Sequence, residues 1–554
     1  MKYRYLQPIA HPFESRKTFR KLLVACLLIA LNVEALAQES VSKPMPPAAL
    51  LDYQPQYVIH HALRTIELEG NTQIESKTLM ASLQEFIGKK IRASDVEQMR
   101  TRLTRAYVDT GFINSGAVFI LPSDVNSSDS LRFRIIEGHL KEVRVQGQQA
   151  LNPTYLRSRL PAQNEVLNVN RLREQFQLLL QDPLFERIQS RLLPTGQLGE
   201  AILELDVVRK PVYSYTIFAN NYRSPAIGEA VLGTSVAVRN LSTWGDVLDA
   251  QIGKSNGAAP YHLGWTLPWL NTSQSLQVAW DHGRSNVVEA PLDLVDIHSR
   301  TSALELKWNR NQVNTLARRI DVGVALAKKR THSSLLGEDF SFSPGEVDGR
   351  SQTQVLKVSQ DWTERGEDFG LVAHSVIHLG RNQNRVDDTT TQQLVPPRQY
   401  WLWNGQLQFL QQLTDWKSQL LLRAQWQWSP HRLIPMEKMA LGGNATVRGF
   451  RESSLLRDQA QVLSLELHRS LYLDQERARQ LSLFGFIDGG RAKNIGEASQ
   501  SLSSYGIGLK MQSVSWSADV AYAKPWSNSR QFRSQQRTSL QDQGVQLQLA
   551  YKFN

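Results

Sequence analysis

From Val212 to its last residue the chain alternates apolar and polar side chains, with almost no helical period. A period of two places the apolar set on one face of an extended strand. Segments of this kind cover residues 247–253, 276–280, 304–308, 320–327, 420–428 and 545–553. Others begin near residues 212, 230, 261, 354, 370, 400, 460, 481, 503 and 515. The total is roughly sixteen, and single-chain bacterial membrane barrels have an even number of strands. Spreading residues 212–554 over sixteen strands leaves about 21 residues per strand and connection, which accommodates bilayer-crossing strands of ~9–11 residues. In the last segment Val545, Leu547, Leu549, Tyr551 and Phe553 share one face, and Gln546, Gln548, Ala550 and Lys552 share the other. That suits lipid on one side and a polar lumen on the other. The expected fold is therefore mainly β, with a C-terminal sixteen-stranded transmembrane barrel over residues 211–554.

Tryptophan usage marks where this barrel begins. All 13 tryptophans lie after residue 211, between Trp244 and Trp526. Aromatic belts at both interfaces are a property of membrane barrels. Mean hydropathy is −0.36, which excludes a bundle of membrane helices. The one long apolar run, LLVACLLIALNV at 22–33, follows four Lys/Arg and precedes Ala35-Leu36-Ala37. About 12 residues are too few to cross a ~30 Å hydrocarbon core as a helix. The pattern reads as a secretory signal peptide, residues 1–37, cleaved after Ala37. Cys26 lies too close to Lys21 for a lipoprotein cleavage box. Its loss with the leader leaves a mature chain without thiols, so disulfides and thiolate metal sites are excluded. Residues 1–37 hold six Lys/Arg and two Glu, so +7 of the formal +11 remains after cleavage. These basic residues are scattered, which fits a channel wall and not nucleic-acid binding.

Between the leader and the barrel the chain repeats itself. Ile66-Glu67-Leu68-Glu69-Gly70 aligns with Val143-Arg144-Val145-Gln146-Gly147, Leu79 with Leu156, and Leu83 with Leu160. Each copy runs from a glycine-ended strand into helices and then into two strands. In the first copy Ser94 and Glu97 read as a capping box for a helix striped by Val96, Met99, Leu103 and Ala106, which Gly111 ends. In the second, Asn152-Pro153 reads as a helix start. Leu172, Phe176, Leu179 and Leu180 mark a second helix, closed by Asp182-Pro183. The order β-α-α-β-β resembles POTRA domains, the polypeptide-binding modules of outer-membrane transporters. It implies two periplasmic units, residues 60–138 and 139–210, with sheet edges where an extended segment adds as a strand. Residues 38–59 form a proline-containing linker (Pro44, Pro46, Pro47, Pro55) with room for a short plug at most.

With strand one running outward, the connection after strand eleven, about 429–459, lies on the far side and is much longer than a turn. It contains Gly442-Gly443-Asn444-Ala445-Thr446-Val447-Arg448-Gly449-Phe450. Strand thirteen carries Phe486-Ile487-Asp488-Gly489-Gly490. Val447-Arg448-Gly449-Phe450 resembles the V-R-G-Y/F motif in the sixth extracellular loop of two-partner secretion transporters, the TpsB or haemolysin secretion/activation family. Phe486, Asp488 and Gly490 resemble that family's F/G-x-D-x-G motif on strand thirteen. The resemblance implies a loop folded back into the lumen with Arg448 paired to Asp488. It further implies an outer-membrane protein whose partners are a secreted TpsA-type exoprotein (a haemolysin, adhesin or contact-dependent toxin), outer-membrane lipids and, during biogenesis, the barrel-assembly machinery.

No H-E-x-x-H, P-loop or C-x-x-C pattern occurs, so neither an enzyme nor a cofactor is expected. The adjacent pair His60-His61 points to opposite faces of a strand and is not read as a metal site. Two other functions share the fold: a factor that inserts other barrels, which generally carries more POTRA units, and a passive porin, which needs no 150-residue front end.

Overall fold

The computed structural model describes residues 58–121, 129–147, 151–162, 164–268, 273–383, 395–474, 478–526 and 539–553. The expected signal peptide and nearly all of the linker, including any plug, lie outside the described residues.

The first repeat is a three-stranded sheet covered by helices. Thr65–Glu69 runs parallel to Ser130–Ile136, and Gly116–Ile120 lies antiparallel on the far side of that central strand. Helices Ser76–Ala81 and Ala93–Asp109, with Leu83 just after the first, bury Leu79, Leu83, Met99, Leu103 and Tyr107 against Leu131 and Phe133. Val96, Met99, Leu103 and Tyr107 recur at three- and four-residue steps, the spacing of one helical face. The chain stops the helix at Gly111, whose φ of 99° glycine adopts without a Cβ clash. The helix begins two residues earlier than the Ser94/Glu97 box requires. A short strand, Lys90–Arg92, pairs with Val58–Ala62 and ends at the cap, so Asp95 is the acid in the first turn. It accepts the Arg92 amide at 2.8 Å, while Glu97 binds Arg100 on the helix surface.

Glu137 joins three parts of this unit. Its carboxylate accepts the Thr72 amide at 2.6 Å, the Gln73 amide at 2.8 Å, the Tyr107 hydroxyl at 2.7 Å and the Thr72 hydroxyl. Partial burial would raise its pKa, but these donors outweigh burial and hold it below the usual carboxylate value. A depressed folded pKa means the stabilisation is complete above the unfolded value of about 4.3 and is lost as pH falls through the folded one. Glu137→Gln is expected to remove that pH dependence and to weaken the unit by about 1 kcal/mol, the low end for charged hydrogen bonds because water screens the site. Amide exchange over residues 65–137 of the whole protein, compared at pH 7 and pH 4, measures both effects.

The second repeat contains His139–Gln146, helices Pro153–Arg157 and Val169–Leu180, and strands Phe185–Pro194 and Glu200–Arg209. The sheet places Glu200–Arg209 between the other two strands. Asn152 caps the first helix by accepting the Thr154 amide at 2.9 Å, with Pro153 at the first helical position. Leu172 and Leu179 are buried, whereas Leu180, expected in the same stripe, is 45% exposed. One residue beyond Leu179 rotates about 100° around the helix, off the apolar face.

Among the described residues, sixteen strands close into the barrel, each antiparallel to its neighbours. Strand one is Tyr213–Asn220 and strand sixteen is Val545–Phe553, and they meet from Gln548 opposite Asn220 to Phe553 opposite Tyr215. At the rim where strand one starts, the near rim, connections such as 315–317, 366–368 and 513–515 are short; at the far rim they reach 429–458. The outer face exposes Leu263, Trp280, Leu304, Leu326, Ile377, Leu463, Ile487, Ile507 and Val520. So wide an apolar surface would drive association in water and is solvated by lipid instead. Trp244, Trp265, Trp308, Trp362, Trp416 and Trp516 fall near one rim and Trp401, Trp403, Trp428 and Trp526 near the other, as interfacial belts require. The inner face carries buried Thr353, Ser359, Ser464, Asp488, Ser504 and Gln546. Among the described residues no helix is long and apolar enough to cross a membrane.

Candidate functional site: the sixth far-rim loop inside the barrel

Residues 429–458 leave strand eleven, Ser418–Trp428, and return to strand twelve, Gln459–Asp474. Within the loop, Met439–Leu441 pairs with Leu455–Arg457 as a small hairpin. Buried Asp458 fixes its base, accepting the Leu433 and Ile495 amides at 2.9 Å each. The tip turns at Gly442 and Gly443, both at φ 99°, and the Gly443 amide donates to the Val447 carbonyl at 3.1 Å. This geometry presents Val447 to Phe450 to the barrel wall.

Every residue of the two sequence motifs has a defined contact. The Arg448 Nε and Nη2 donate to Asp488 Oδ2 and Oδ1, each at 2.7 Å, and the Arg448 amide adds a third bond to Oδ2 at 3.1 Å. Its guanidinium carbon lies 3.5 Å from the centroid of Phe486, the other strand-thirteen motif side chain on the lumen face of Arg479–Lys493. Gly490 leaves room for the loop: a Cβ there would stand 2.9 Å from Leu441 and 3.1 Å from Val447. Gly449 takes φ 85° beside the Ala523 backbone, where a side chain would be strained. Phe450 packs with Leu441, Val447, Leu455, Val462 and Leu502.

The pair is dry. Arg448 is 4% exposed and Asp488 0%. Taking a guanidinium and a carboxylate out of water costs several kcal/mol each, and only complete hydrogen bonding offsets that. The site supplies it with residues that sequence reasoning missed. Glu466 on strand twelve stands 2.8 Å from Arg448 Nη1, and the Ser464 hydroxyl accepts from Nη2 at 3.1 Å. Glu466 also binds Arg423 and His468. A signal existed: in the stretch Leu463-Ser464-Leu465-Glu466-Leu467-His468 the polar positions alternate with leucines, and register sets Ser464 opposite Asp488 and Glu466 opposite Phe486. A planar fork with five donors can satisfy Asp488 bidentately, Glu466 and Ser464 at once, and then stack on an aromatic ring. An ammonium cannot.

The first limb of the loop has its own anchor, also missed. Glu437 is buried and reaches Lys329 on strand seven, Arg318–Leu335, at 2.7 Å and His378 on strand nine, Phe369–Asn382, at 3.4 Å. Beside the loop, against strands one to seven, the lumen keeps a cavity of about 730 Å³ lined by residues that include Gln251, His262, Asp281, Thr331 and Met436. Met436 of the loop's first limb lines this space, so the loop occupies part of the lumen that a passing polypeptide would cross.

The closed, lipid-facing barrel with its sixth far-rim loop bound inside the lumen is the architecture of an outer-membrane barrel transporter. Residues 199–511 match the family model of haemolysin secretion/activation protein ShlB/FhaC/HecB, and residues 61–138 match the POTRA domain of ShlB type. The chain belongs to the haemolysin secretion/activation protein family ShlB/FhaC/HecB, outer-membrane transporters of the two-partner secretion route. It is 22% identical over 495 residues to the heme/hemopexin transporter protein HuxB of Haemophilus influenzae strain 86-028NP, covering 83% of this chain and 82% of that one. It is also 22% identical over 401 residues to the outer membrane transporter CdiB of Dickeya dadantii strain 3937, covering 70% and 69%. The solved structure of CdiB from Escherichia coli has the same fold, with a TM-score of 0.69 at 17% identity over 98% of this chain and 100% of that chain.

Proposed function

We propose that this transporter captures an extended segment of one large secreted TpsA-type exoprotein in the periplasm and passes it through the barrel lumen to the cell surface. The observation that carries this reading is the loop held inside the lumen by Arg448, Asp488 and Glu466, a plug that polypeptide export has to displace. Residues 60–138 and 139–210 act as two capture units, each offering a sheet edge for strand addition. The near rim faces the periplasm and the far-rim loops face outward. Relatives named as a heme/hemopexin transporter protein and a hemolysin transporter protein support a cargo of that kind. Lipids surround the outer apolar band, and the barrel-assembly machinery inserts the chain. Folding of the cargo outside supplies direction, because an extended chain that folds after exit does not return.

A photo-cross-linking amino acid replacing Gln251 or Thr331, which line the lumen cavity, tests the reading when the partner exoprotein is co-expressed. Capture of the partner from these positions, and not from the lipid-facing neighbours Ile252 and Leu326, is expected.

A further inference from the structure

At the far rim a second arginine of the same loop binds as elaborately as Arg448, and neither motif includes it. Arg451 Nε and Nη2 donate to Asp542 Oδ1 and Oδ2 at 2.6 and 2.8 Å. Its Nη1 and Nη2 donate to Glu289 Oε2 and Oε1 at 2.9 and 2.8 Å. One guanidinium is thus bidentate to two carboxylates, one in loop 287–297 and one between strand fifteen, Trp516–Pro525, and strand sixteen. Asp542 is fully buried, so this is no solvated surface pair. Next to it, the Glu452 amide donates to Gln541 Oε1 at 2.8 Å, and Gln541 Nε2 donates to the Asn221 and Arg223 carbonyls at 2.5 and 2.6 Å. The Leu540 amide donates to Glu229 at 2.9 Å. Asn221 in turn bonds Val545 and Leu547 of strand sixteen, each at 2.9 Å.

These bonds tie four far-rim loops together, and they converge where strand one meets strand sixteen. We infer that Arg451 is a positioning residue for export: it keys a clasp that holds the exit side of the barrel shut at rest and has to release while a chain leaves. The chemistry favours a reversible device. Two bidentate pairs confer directional strength. Yet Arg451 and Glu289 each keep about a fifth of their side-chain surface accessible, so water can compete once the loops part. A permanently closed rim would be built from packed apolar side chains instead. That the rim is the exit rests on the orientation proposed above; that the clasp closes the barrel does not.

The experiment has two arms on the full-length protein. In planar lipid bilayers, Arg451→Ala should raise mean conductance at least threefold at unchanged heat-modifiable gel mobility, and Arg451→Lys, which retains charge without the fork, should fall between. Conductance equal to the parent in a correctly inserted Arg451→Ala protein would overturn the clasp. For the second arm, Glu229→Cys and Gln541→Cys are introduced together and bridged by a reductant-cleavable bifunctional thiol reagent. Secretion of the partner exoprotein should fall at least fivefold when bridged and recover on reduction. Undiminished secretion with the bridge in place would overturn the requirement for release. This arm stands even if Arg451→Ala fails to insert. An inserted Arg451→Ala protein that conducts but supports no secretion of any partner, bridged or not, would count against the export reading and leave the clasp intact.

Discussion

Arg448→Ala lowers secretion of the partner exoprotein at least tenfold while the barrel still inserts and keeps its heat-modifiable mobility. The expectation follows from what the substitution strands: a loop that no longer docks in one place cannot be cleared from the lumen as a unit, and it leaves two unpaired carboxylates on the wall that the cargo has to pass. Asp488 is wholly buried and Glu466 nearly so, and the loop supplies the cation that faces both. Removing one partner of a buried, fully bonded ion pair costs about 3–5 kcal/mol. That changes the balance between the docked and undocked loop by more than a hundredfold, at about 1.4 kcal/mol per factor of ten. The barrel does not share the cost, because its strands are held by a closed hydrogen-bond ladder and by lipid around the outer face. Arg448→Lys falls between: the charge remains, but the fork to Asp488 and the stacking on Phe486 are lost. Glu466→Gln leaves the bidentate Asp488 contact in place and is the milder change. Secretion assays paired with gel mobility separate these outcomes, and undiminished secretion by an inserted Arg448→Ala protein would remove the loop contact from the mechanism.

Deletion of residues 60–208 abolishes export altogether and leaves an inserted barrel. The ladder of the barrel starts at Tyr213 and closes on Phe553 without any residue of the deleted segment. The deleted segment holds the sheets proposed to capture the cargo. Cargo accumulating on the periplasmic side, with the shortened barrel present in outer-membrane fractions, is the expected result. Export that survives the deletion would show that capture resides elsewhere.

Much of the fold was legible because lipid and lumen impose a period of two, and a two-residue alternation survives in sequence without long-range information. The strand order and the even count follow from that period. The loop pair was legible through its motifs, Val447 to Phe450 and Phe486 to Gly490, whose spacing across a strand and a long loop is distinctive. Glu466, Glu437 and Arg451 were not, for a physical reason. A single charged residue in an alternating strand or loop looks like any lumen or surface position until register supplies its partner. Glu466 becomes meaningful only when strand twelve is aligned with strand thirteen, and Arg451 only when loops 91 and 162 residues distant in sequence close on it. The helix start at Ala93 was misplaced because the strand before it, Lys90–Arg92, is too short to show an alternation, so the acid one position later than the apparent cap went unrecognised.

The passage of polypeptide through the lumen is tested most directly by the cross-linker at Thr331, facing the cavity on strand seven, against the same cross-linker at Leu326 on the lipid side of that strand. With export in progress, adducts to the partner exoprotein are expected from Thr331 and none from Leu326. Adducts absent from Thr331 while secretion proceeds, or formed equally at both, would contradict transport through the barrel.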